Sequence, residues 1–133
     1  AYTQPYVMVG SDCGFIEQAG HPRGAGTFPR ILGRYVRERK VMSLMDALKK
    51  MTLLPAQRVN LTHKGEVKEG YDADLVIFDE NTIIDRATFE EPTLPPEGIS
   101  YVLLNGEVAV RNNEIVNGRL GTYIPYAPAA KRG

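Results

Sequence analysis

The 133-residue sequence has little cysteine, no long apolar run and no net charge, and each shortage excludes a class of protein. Cys13 is its one cysteine, so no disulfide can form within the chain. No segment approaches the roughly 20 apolar residues that span a bilayer, which argues against a membrane protein. Lys plus Arg and Asp plus Glu number 16 each, so no net field attracts nucleic acid or an anionic membrane surface. We therefore expect neither nucleic acid nor membrane as a partner.

What remains is the composition of a water-soluble domain of ordinary size, with 43% hydrophobic and 24% charged residues. The first residues lack the charged and apolar regions of a secretory signal, so a reducing cytoplasm is the expected compartment. The sequence opens without Met and almost at once reaches the β-prone run Tyr6-Val7-Met8-Val9. A strand this early indicates a truncated chain, and a whole small protein that has lost its initiator Met is the equal alternative.

The first half of the sequence predicts a strand followed by helices. The strand at Val7-Met8-Val9 ends in turn-forming residues at 10–14, and a Gly-rich loop follows to about Gly26. Thr27 is the predicted N-cap of a first helix, and Ser43 with Asp46 approximates a capping box for a second. The apolar stripe of the first helix recurs at helical spacing: Phe28, Ile31, Leu32, Tyr35 and Val36. A short third helix is predicted at 54–59, with Pro55 in its first turn.

From Lys64 onward the pattern becomes that of short strands separated by turns. The predicted strands are residues 65–67, 73–79, 101–104 and 107–110. Asn105-Gly106 lies between the last two and predicts a type I′ hairpin, since both residues tolerate positive φ. The Pro-rich stretch at 91–98 predicts an ordered surface loop, and the tail from Tyr123 is expected to fray.

Asp12 and the His21-Pro22-Arg23 triplet are the candidates for chemistry. Asp12 directly follows a short apolar strand in a Gly-flanked turn, which is where barrel enzymes place catalytic groups. The alternative is a simple Asx turn bonded to its own backbone. Arg23 carries a guanidinium fork suited to a carboxylate partner, in the same loop as the imidazole of His21. A solvated loop stiffened by Pro22 is the alternative for these residues.

The remaining reactive residue types predict no site. Cys13 has no partner at a recognisable spacing and is expected to be a small buried or half-buried thiol. His63 is expected to be an exposed turn residue. With two histidines and one cysteine in all, the sequence shows no metal-site spacing, so any metal would be ligated mostly from outside this segment.

Several of these motifs together resemble one family. Residues 9–12, 21–23 and 26–35 closely resemble the end of the catalytic barrel in D-aminoacylases, the N-acyl-D-amino-acid deacylases of the amidohydrolase superfamily. Downstream, residues 51–56, 70–79, 88–92 and 102–106 are similar to the rest of that family's C-terminal region. The Gly70-to-Val76 segment and the Asn-Gly hairpin are shared by many amidohydrolases, whereas the stretch from Asp12 to Tyr35 is the narrower match.

The resemblance implies a role for each candidate. Asp12 would be the general base and acid acting on a metal-activated water, and Arg23 would bind the α-carboxylate of the substrate. His21 would help to shape the same substrate-binding loop. The resemblance also implies zinc as the cofactor, with no metal ligand in this segment. Cys13 departs from the pattern, because relatives usually have Gly after the aspartate.

The implied fold is an α+β fragment of a larger protein. Residues 1–60 would form the last strand, active-site loop and helices of a TIM-type (β/α)8 barrel. Residues 61–122 would form strands of a small β-sandwich, and 123–133 a flexible tail. The implied partners are an N-acyl-D-amino acid substrate and the rest of the barrel. The isolated chain is expected to be inactive, and without its neighbours either self-association or partial disorder is expected.

Two other functions compete with this interpretation. One is a cyclic amidohydrolase related to dihydroorotase or hydantoinase, although the spacing of Arg23 from Asp12 favours a linear substrate that bears a carboxylate. The other is a β-type binding module without chemistry.

Overall fold

A computed structural model describes residues 1–14 and 20–128, with helices in the first half and one antiparallel sheet in the second. Helix α1 spans Arg23–Arg30 and continues into a π-helix at Ile31–Glu38, α2 spans Leu44–Met51, and α3 spans Leu53–Arg58. The strands are β1 at Leu75–Phe78, β2 at Ile99–Leu104, β3 at Glu107–Arg111 and β4 at Glu114–Ile115. They are hydrogen-bonded in that order, so β1 is an edge strand among the described residues. The predicted α+β class is confirmed.

The opening segment forms no strand at Val7-Met8-Val9, so that prediction is wrong. The Val9 amide instead donates to the Lys50 carbonyl at 3.1 Å. The ammonium group of Lys50, a residue only 5% exposed, donates to the carbonyl oxygens of Gln4 and Val7. A parallel strand needs neighbours, and none is supplied by the described residues. The segment is therefore held against the end of α2.

The first helix begins earlier than predicted, because its N-cap is Pro22 and not Thr27. Thr27 lies inside α1, where its hydroxyl donates to the Arg23 carbonyl at 2.8 Å. A start after Thr27 would have kept Pro29 in the first turn, where its missing N–H costs nothing. The structure instead buries Pro29 inside α1, and the backbone becomes π-helical from Ile31. Arg23, expected in the loop, is consequently the first residue of α1.

The next two helices follow the sequence closely. The Ser43 hydroxyl accepts the Asp46 backbone N–H at 3.1 Å, which confirms the predicted cap of α2. Pro55 lies in the first turn of α3, as expected. The core lies where the π-helix, α2 and the segment after β1 meet: Ile31, Leu32, Ala47 and Ile83.

The sheet is a series of antiparallel hairpins. Asn105 and Gly106 join β2 to β3 with φ of 50° and 81°, which confirms the predicted type I′ chemistry. A second turn of this kind, Asn112-Asn113, joins β3 to β4, a strand that the sequence analysis did not predict. The predicted strand at 65–67 does not form, because no described strand lies beside it to complete its hydrogen bonds.

The second half includes two regions for which no strand is predicted, the Pro-rich loop at 91–98 and the tail from Tyr123, and the structure describes the loop and the first part of the tail. In the Pro-rich loop, Glu97 pairs with Ile84 as an isolated antiparallel bridge, so this loop is ordered as predicted. Gly98 follows at φ 85°, where a Cβ would lie 2.5 Å from the Ile83 backbone. Residues 123–128 have no regular secondary structure, and the side-chain amide of Asn60 donates to the Ala127 carbonyl at 3.3 Å. Residues 129–133 of the predicted tail lie outside the described residues.

The surface of the chain is large for its length. Its accessible surface is 9888 Å², whereas a compact monomer of this size exposes about 6,900 Å². None of the described helices has the length and apolar character needed to cross a membrane.

Candidate functional site

Asp12 and Arg23, eleven residues apart in the sequence, form an ion pair. Arg23 Nη2 lies 3.0 Å from Asp12 Oδ2. The pair is open to solvent, with the Asp12 side chain 90% exposed and that of Arg23 43% exposed. An exposed pair of this kind contributes about 0–1 kcal/mol to stability. The two groups are thus close together without being locked, and each is free to exchange its partner.

The backbone at Asp12 is unusual as well. Its φ is 51°, in the left-handed region that few residues other than Gly adopt, although Asp is among those that tolerate it. Residues held in this conformation often occur at functional sites. Residues 10–14 have no regular secondary structure, and the Asp12 carboxylate is exposed to solvent beside the start of α1.

His21 contacts the beginning of α1. Its ring nitrogen Nδ1 accepts the backbone N–H of Arg23 at 3.1 Å. Helix N-termini leave such amides without partners inside the helix, so the ring supplies one of the missing acceptors. The ring also meets Phe89 at a centroid distance of 4.9 Å and an interplanar angle of 75°. His21 is therefore a neighbour of Arg23 through the backbone.

A carboxylate that the sequence analysis missed, Asp85, fixes the helical unit that carries Arg23. Its Oδ2 lies 3.0 Å from Arg30 Nη1, and its Oδ1 lies 3.5 Å from Arg34 Nε. The Asp85 side chain is 9% exposed, and Oδ1 is within ion-pair range of Arg34 but accepts no hydrogen bond. The hydrogen bond from Arg30 to Asp85 raises the pKa of that guanidinium. Gly26 permits this approach, since a Cβ there would lie 3.3 Å from the Asp85 Cβ.

A third arginine on the same helical unit reinforces the connection. Arg37 Nη1 donates to the Ile83 carbonyl at 2.7 Å and to the Glu80 carbonyl at 3.1 Å. The one sequence signal for this contact is the i, i+4, i+7 spacing of Arg30, Arg34 and Arg37, which predicts a line of guanidinium groups in need of acceptors. The identity of the acceptors, 43 to 55 residues downstream, has no local signal.

The other candidates stand apart from this pair. Cys13 is exposed, so the prediction of a buried or half-buried thiol is wrong: the segment at 11–14 has no regular secondary structure and leaves the side chain uncovered. Cys13 Cβ does lie 3.8 Å from where a Cβ on Gly24 would be. His63 is exposed in a turn, as expected, with its ring 5.9 Å from that of Tyr71.

Residues 1–14 and 20–128 contain no group of three or more His, Cys, Asp and Glu side chains that could hold a metal ion. Asp12 is paired with the Arg23 cation. The described residues therefore do not fit a metal centre by themselves.

Comparison with known proteins gives consistent matches. The profile of the amidohydrolase family matches residues 6–110. An N-acyl-D-glutamate deacylase of Alcaligenes xylosoxydans xylosoxydans is 48% identical over 99 residues, which are 74% of this chain and 20% of that protein. A D-aminoacylase of the same organism is also 48% identical, with the same coverage. The chain thus spans about a fifth of the length of the curated relatives that it matches.

Two solved structures agree with the sequence matches. The N-acyl-D-glutamate deacylase of Bordetella bronchiseptica, complexed with zinc and a phosphonate mimic of the tetrahedral intermediate, is 43% identical with a TM-score of 0.74. The match covers 81% of this chain and 23% of that one. A D-aminoacylase structure is 42% identical with a TM-score of 0.80, covering 85% of this chain and 24% of the other.

Proposed function

The chain belongs to the amidohydrolase family, and from that premise we propose that it is the C-terminal part of an N-acyl-D-amino-acid deacylase. The reaction is hydrolysis of the amide bond of an N-acyl-D-amino acid to a carboxylate and a free D-amino acid. This proposal is supported by the relatives, which all cleave N-acyl-D-amino acids by name: a D-aminoacylase and deacylases of N-acyl-D-glutamate and N-acyl-D-aspartate. The isolated chain, a fifth of such a protein, is inactive in this proposal.

The observation that carries the proposal is the exposed Asp12–Arg23 pair at 3.0 Å. Hydrolysis of an N-acyl amino acid needs a group that moves a proton at the amide and a group that holds the free α-carboxylate. The guanidinium of Arg23 binds that carboxylate through two parallel N–H groups and exchanges Asp12 for it. The released Asp12 carboxylate takes a proton from the attacking water and returns it to the departing amine nitrogen.

Zinc is part of the proposal for the complete enzyme, because a relative is complexed with zinc. The described residues contain no group of three or more such ligands, so in this proposal most of the zinc ligands come from the remainder of the protein.

We assign residues 1–60 to the end of the catalytic barrel, 61–122 to strands of a flanking β-sandwich and 123–133 to a tail. The large exposed surface supports a missing neighbour. A groove of about 1260 Å³ opens between the start of the chain, α2, α3 and β1. Its apolar lining includes Met8, Leu48, Leu53, Val67 and Val76. The rest of the barrel and sandwich is the proposed occupant of this surface.

The test is to express the complete product of the gene that encodes this chain and to assay it with zinc. N-acetyl-D-amino acids, their L-enantiomers and a cyclic imide are the three substrates. We expect D-selective release of the free amino acid, and Arg23→Lys, which keeps the charge but loses the fork, to raise KM about tenfold or more with a smaller effect on kcat.

Arg119→Lys is the matched control, since Arg119 is exposed and pairs with no acidic side chain in the described part of the chain. Preference for the cyclic imide would favour the hydantoinase-like alternative. If Arg23→Lys and Arg119→Lys changed KM equally, Arg23 would not be a substrate-binding residue.

A further inference from the structure

We propose that Phe89 is a positioning residue for Arg23, acting through His21, and that it thereby sets the affinity for the substrate carboxylate. This inference rests on the proposed function and extends it to a residue 66 positions downstream of Arg23. The contact chain is continuous: the Phe89 ring against the His21 ring, His21 Nδ1 on the Arg23 amide, and the Arg23 guanidinium beside Asp12.

The first link is the aromatic contact. The two rings meet edge to face, with centroids 4.9 Å apart and planes at 75°. This geometry places the positive edge of one ring over the electron-rich face of the other, which is the favoured arrangement for aromatic pairs. The contact restricts rotation of the imidazole about its side-chain bonds.

The second link depends on that orientation. The Arg23 amide donates to Nδ1 at 3.1 Å, so the ring must present this nitrogen in its unprotonated form and in one orientation. A rotated ring would leave the first amide of α1 without its acceptor and would loosen the first turn of the helix. Arg23 is the first residue of that turn, so the position of its side chain follows the position of its backbone.

Phe89 is itself held by a turn and not by burial. The Thr88 hydroxyl accepts the Glu91 amide at 3.0 Å, and the Thr88 amide donates to the Glu91 carbonyl at 3.1 Å. The turn therefore presents a large apolar ring at 73% exposure. A ring so exposed contributes little to the core, which contains only residues from other segments. Among the described residues, the ring with which Phe89 forms an aromatic pair is that of His21.

The loop that carries Phe89 is tied to the helical unit that carries Arg23. Asp85, four residues before Phe89, holds Arg30 at 3.0 Å, and Arg86 is ion-paired with Glu97 across the same loop. The Phe89 turn and the start of α1 consequently belong to one connected set of contacts. Removal of the Phe89 ring alone would leave this frame intact.

The experiment compares Phe89→Ala with Tyr123→Ala in the complete gene product. Tyr123 is 90% exposed and stacks on no ring among the described residues, so its variant controls for the loss of an exposed aromatic side chain. We expect Phe89→Ala to raise KM for N-acetyl-D-amino acids about two- to tenfold, the range of one aromatic pair, with kcat nearly unchanged. Tyr123→Ala should change neither constant.

A double-mutant cycle separates positioning from direct contact with substrate. In an Arg23→Met background, Phe89→Ala should produce no further rise in KM, because its effect passes through Arg23. The same fold increase in both backgrounds would mean that Phe89 touches the substrate itself and would overturn the proposal, as would an unchanged KM in Phe89→Ala.

A second readout does not depend on activity. Amide hydrogen exchange should be faster at Arg23 in Phe89→Ala than in the wild type or in Tyr123→Ala, because the His21 acceptor is no longer fixed. Phe89→Tyr, which keeps the ring, should restore the slow exchange. Exchange at Arg23 that is indifferent to Phe89 overturns the positioning role even if the enzyme is an active deacylase. A wild type without D-selective activity instead refutes the proposed function. In that case the exchange rate at Arg23 still tests whether Phe89 positions His21.

Discussion

Asp74 shows how a single carboxylate connects the parts of the β region. One of its oxygens, Oδ1, accepts the Asn105 backbone N–H at 2.9 Å, and the other pairs with the ammonium group of Lys64. Asp72 contacts the same ammonium group at 2.9 Å. The Gly70-to-Val76 segment thus has a structural role in this chain: it anchors the entry to β1 against the β2–β3 turn.

This arrangement predicts a dependence of stability on pH. The hydrogen bond from Lys64, together with that from the Asn105 amide, lowers the pKa of Asp74 below its ordinary value of 3.8. A carboxyl group with a lowered pKa in the folded state stabilises the protein above its unfolded-state pKa, and this contribution is lost as pH falls through the folded-state value. Asp74→Asn should therefore lower the thermal midpoint at pH 6, and its difference from the wild type should shrink below pH 3.8.

The measurement is the thermal midpoint of both proteins from pH 6 downward. Glu69→Gln is the control, because Glu69 is exposed and has no ion pair among the described residues. A gap between wild type and Asp74→Asn that stays constant to the lowest pH would contradict the role of this carboxylate. The hydrogen bond with Asp74 is the main cause that raises the pKa of Lys64 above its ordinary value of 10.5. The stability that Lys64 contributes is therefore complete below pH 10.5 and is lost as the pH rises through the folded-state pKa.

At the scale of residues, the sequence identified contacting groups that lie close together in one motif. It did not identify groups that the fold brings together from distant parts of the chain. Asp12 and Arg23 lie eleven residues apart in one narrow pattern, and the structure brings them together. Their catalytic and binding roles stay predictions. The roles of Asp85 and Phe89 were not predicted, because their partners are distant in the sequence. An isolated Asp or Phe carries no signal of which helix it will contact.

The π-helix packs closely on the segment after β1. Gly33 lies where a Cβ would be 2.6 Å from both the Ile83 carbonyl oxygen and Ile84 Cδ1. The Ile83 carbonyl also accepts the Arg37 guanidinium at 2.7 Å, so it cannot shift without loss of that hydrogen bond. Only glycine permits the π-helix to approach so closely.

Gly33→Ala should therefore destabilise the protein, although alanine is the better helix former. Overpacking of this kind costs about 1–3 kcal/mol, which exceeds the gain of about 1 kcal/mol from helix propensity. The measurement is the thermal midpoint beside that of Gly121→Ala, where a Cβ meets no atom within 4 Å. A Gly33→Ala protein as stable as its Gly121→Ala control would show that the two elements are not packed as described.

At the scale of elements, local signals sufficed wherever an element satisfies its own hydrogen bonds. The Ser43 cap and the Asn105-Gly106 turn are of this kind, and both were predicted. The strands expected at 7–9 and 65–67 failed because a strand needs a partner that local sequence does not specify. The start of α1 was misplaced because its acceptor is a histidine ring, which no capping rule includes.

The whole molecule has more surface than a compact chain of its length should expose. The 9888 Å² of accessible surface exceeds the expected value of about 6,900 Å² by roughly 3,000 Å². Met45 and Val76 are exposed in the apolar groove, and β1 offers an edge to it. An apolar groove that no described segment covers is typical of an interface, so self-association of the isolated chain stays our expectation.

The most direct test of the central claim is D-selective deacylation by the complete gene product, wild type against Asp12→Asn, with zinc present. The variant keeps the shape of the side chain but cannot take up a proton, so kcat for an N-acetyl-D-amino acid should fall about a hundredfold or more with the thermal midpoint unchanged. Activity that survives in Asp12→Asn, or that does not distinguish D from L substrates, would contradict the assignment of this chain to the catalytic end of a D-amino-acid deacylase.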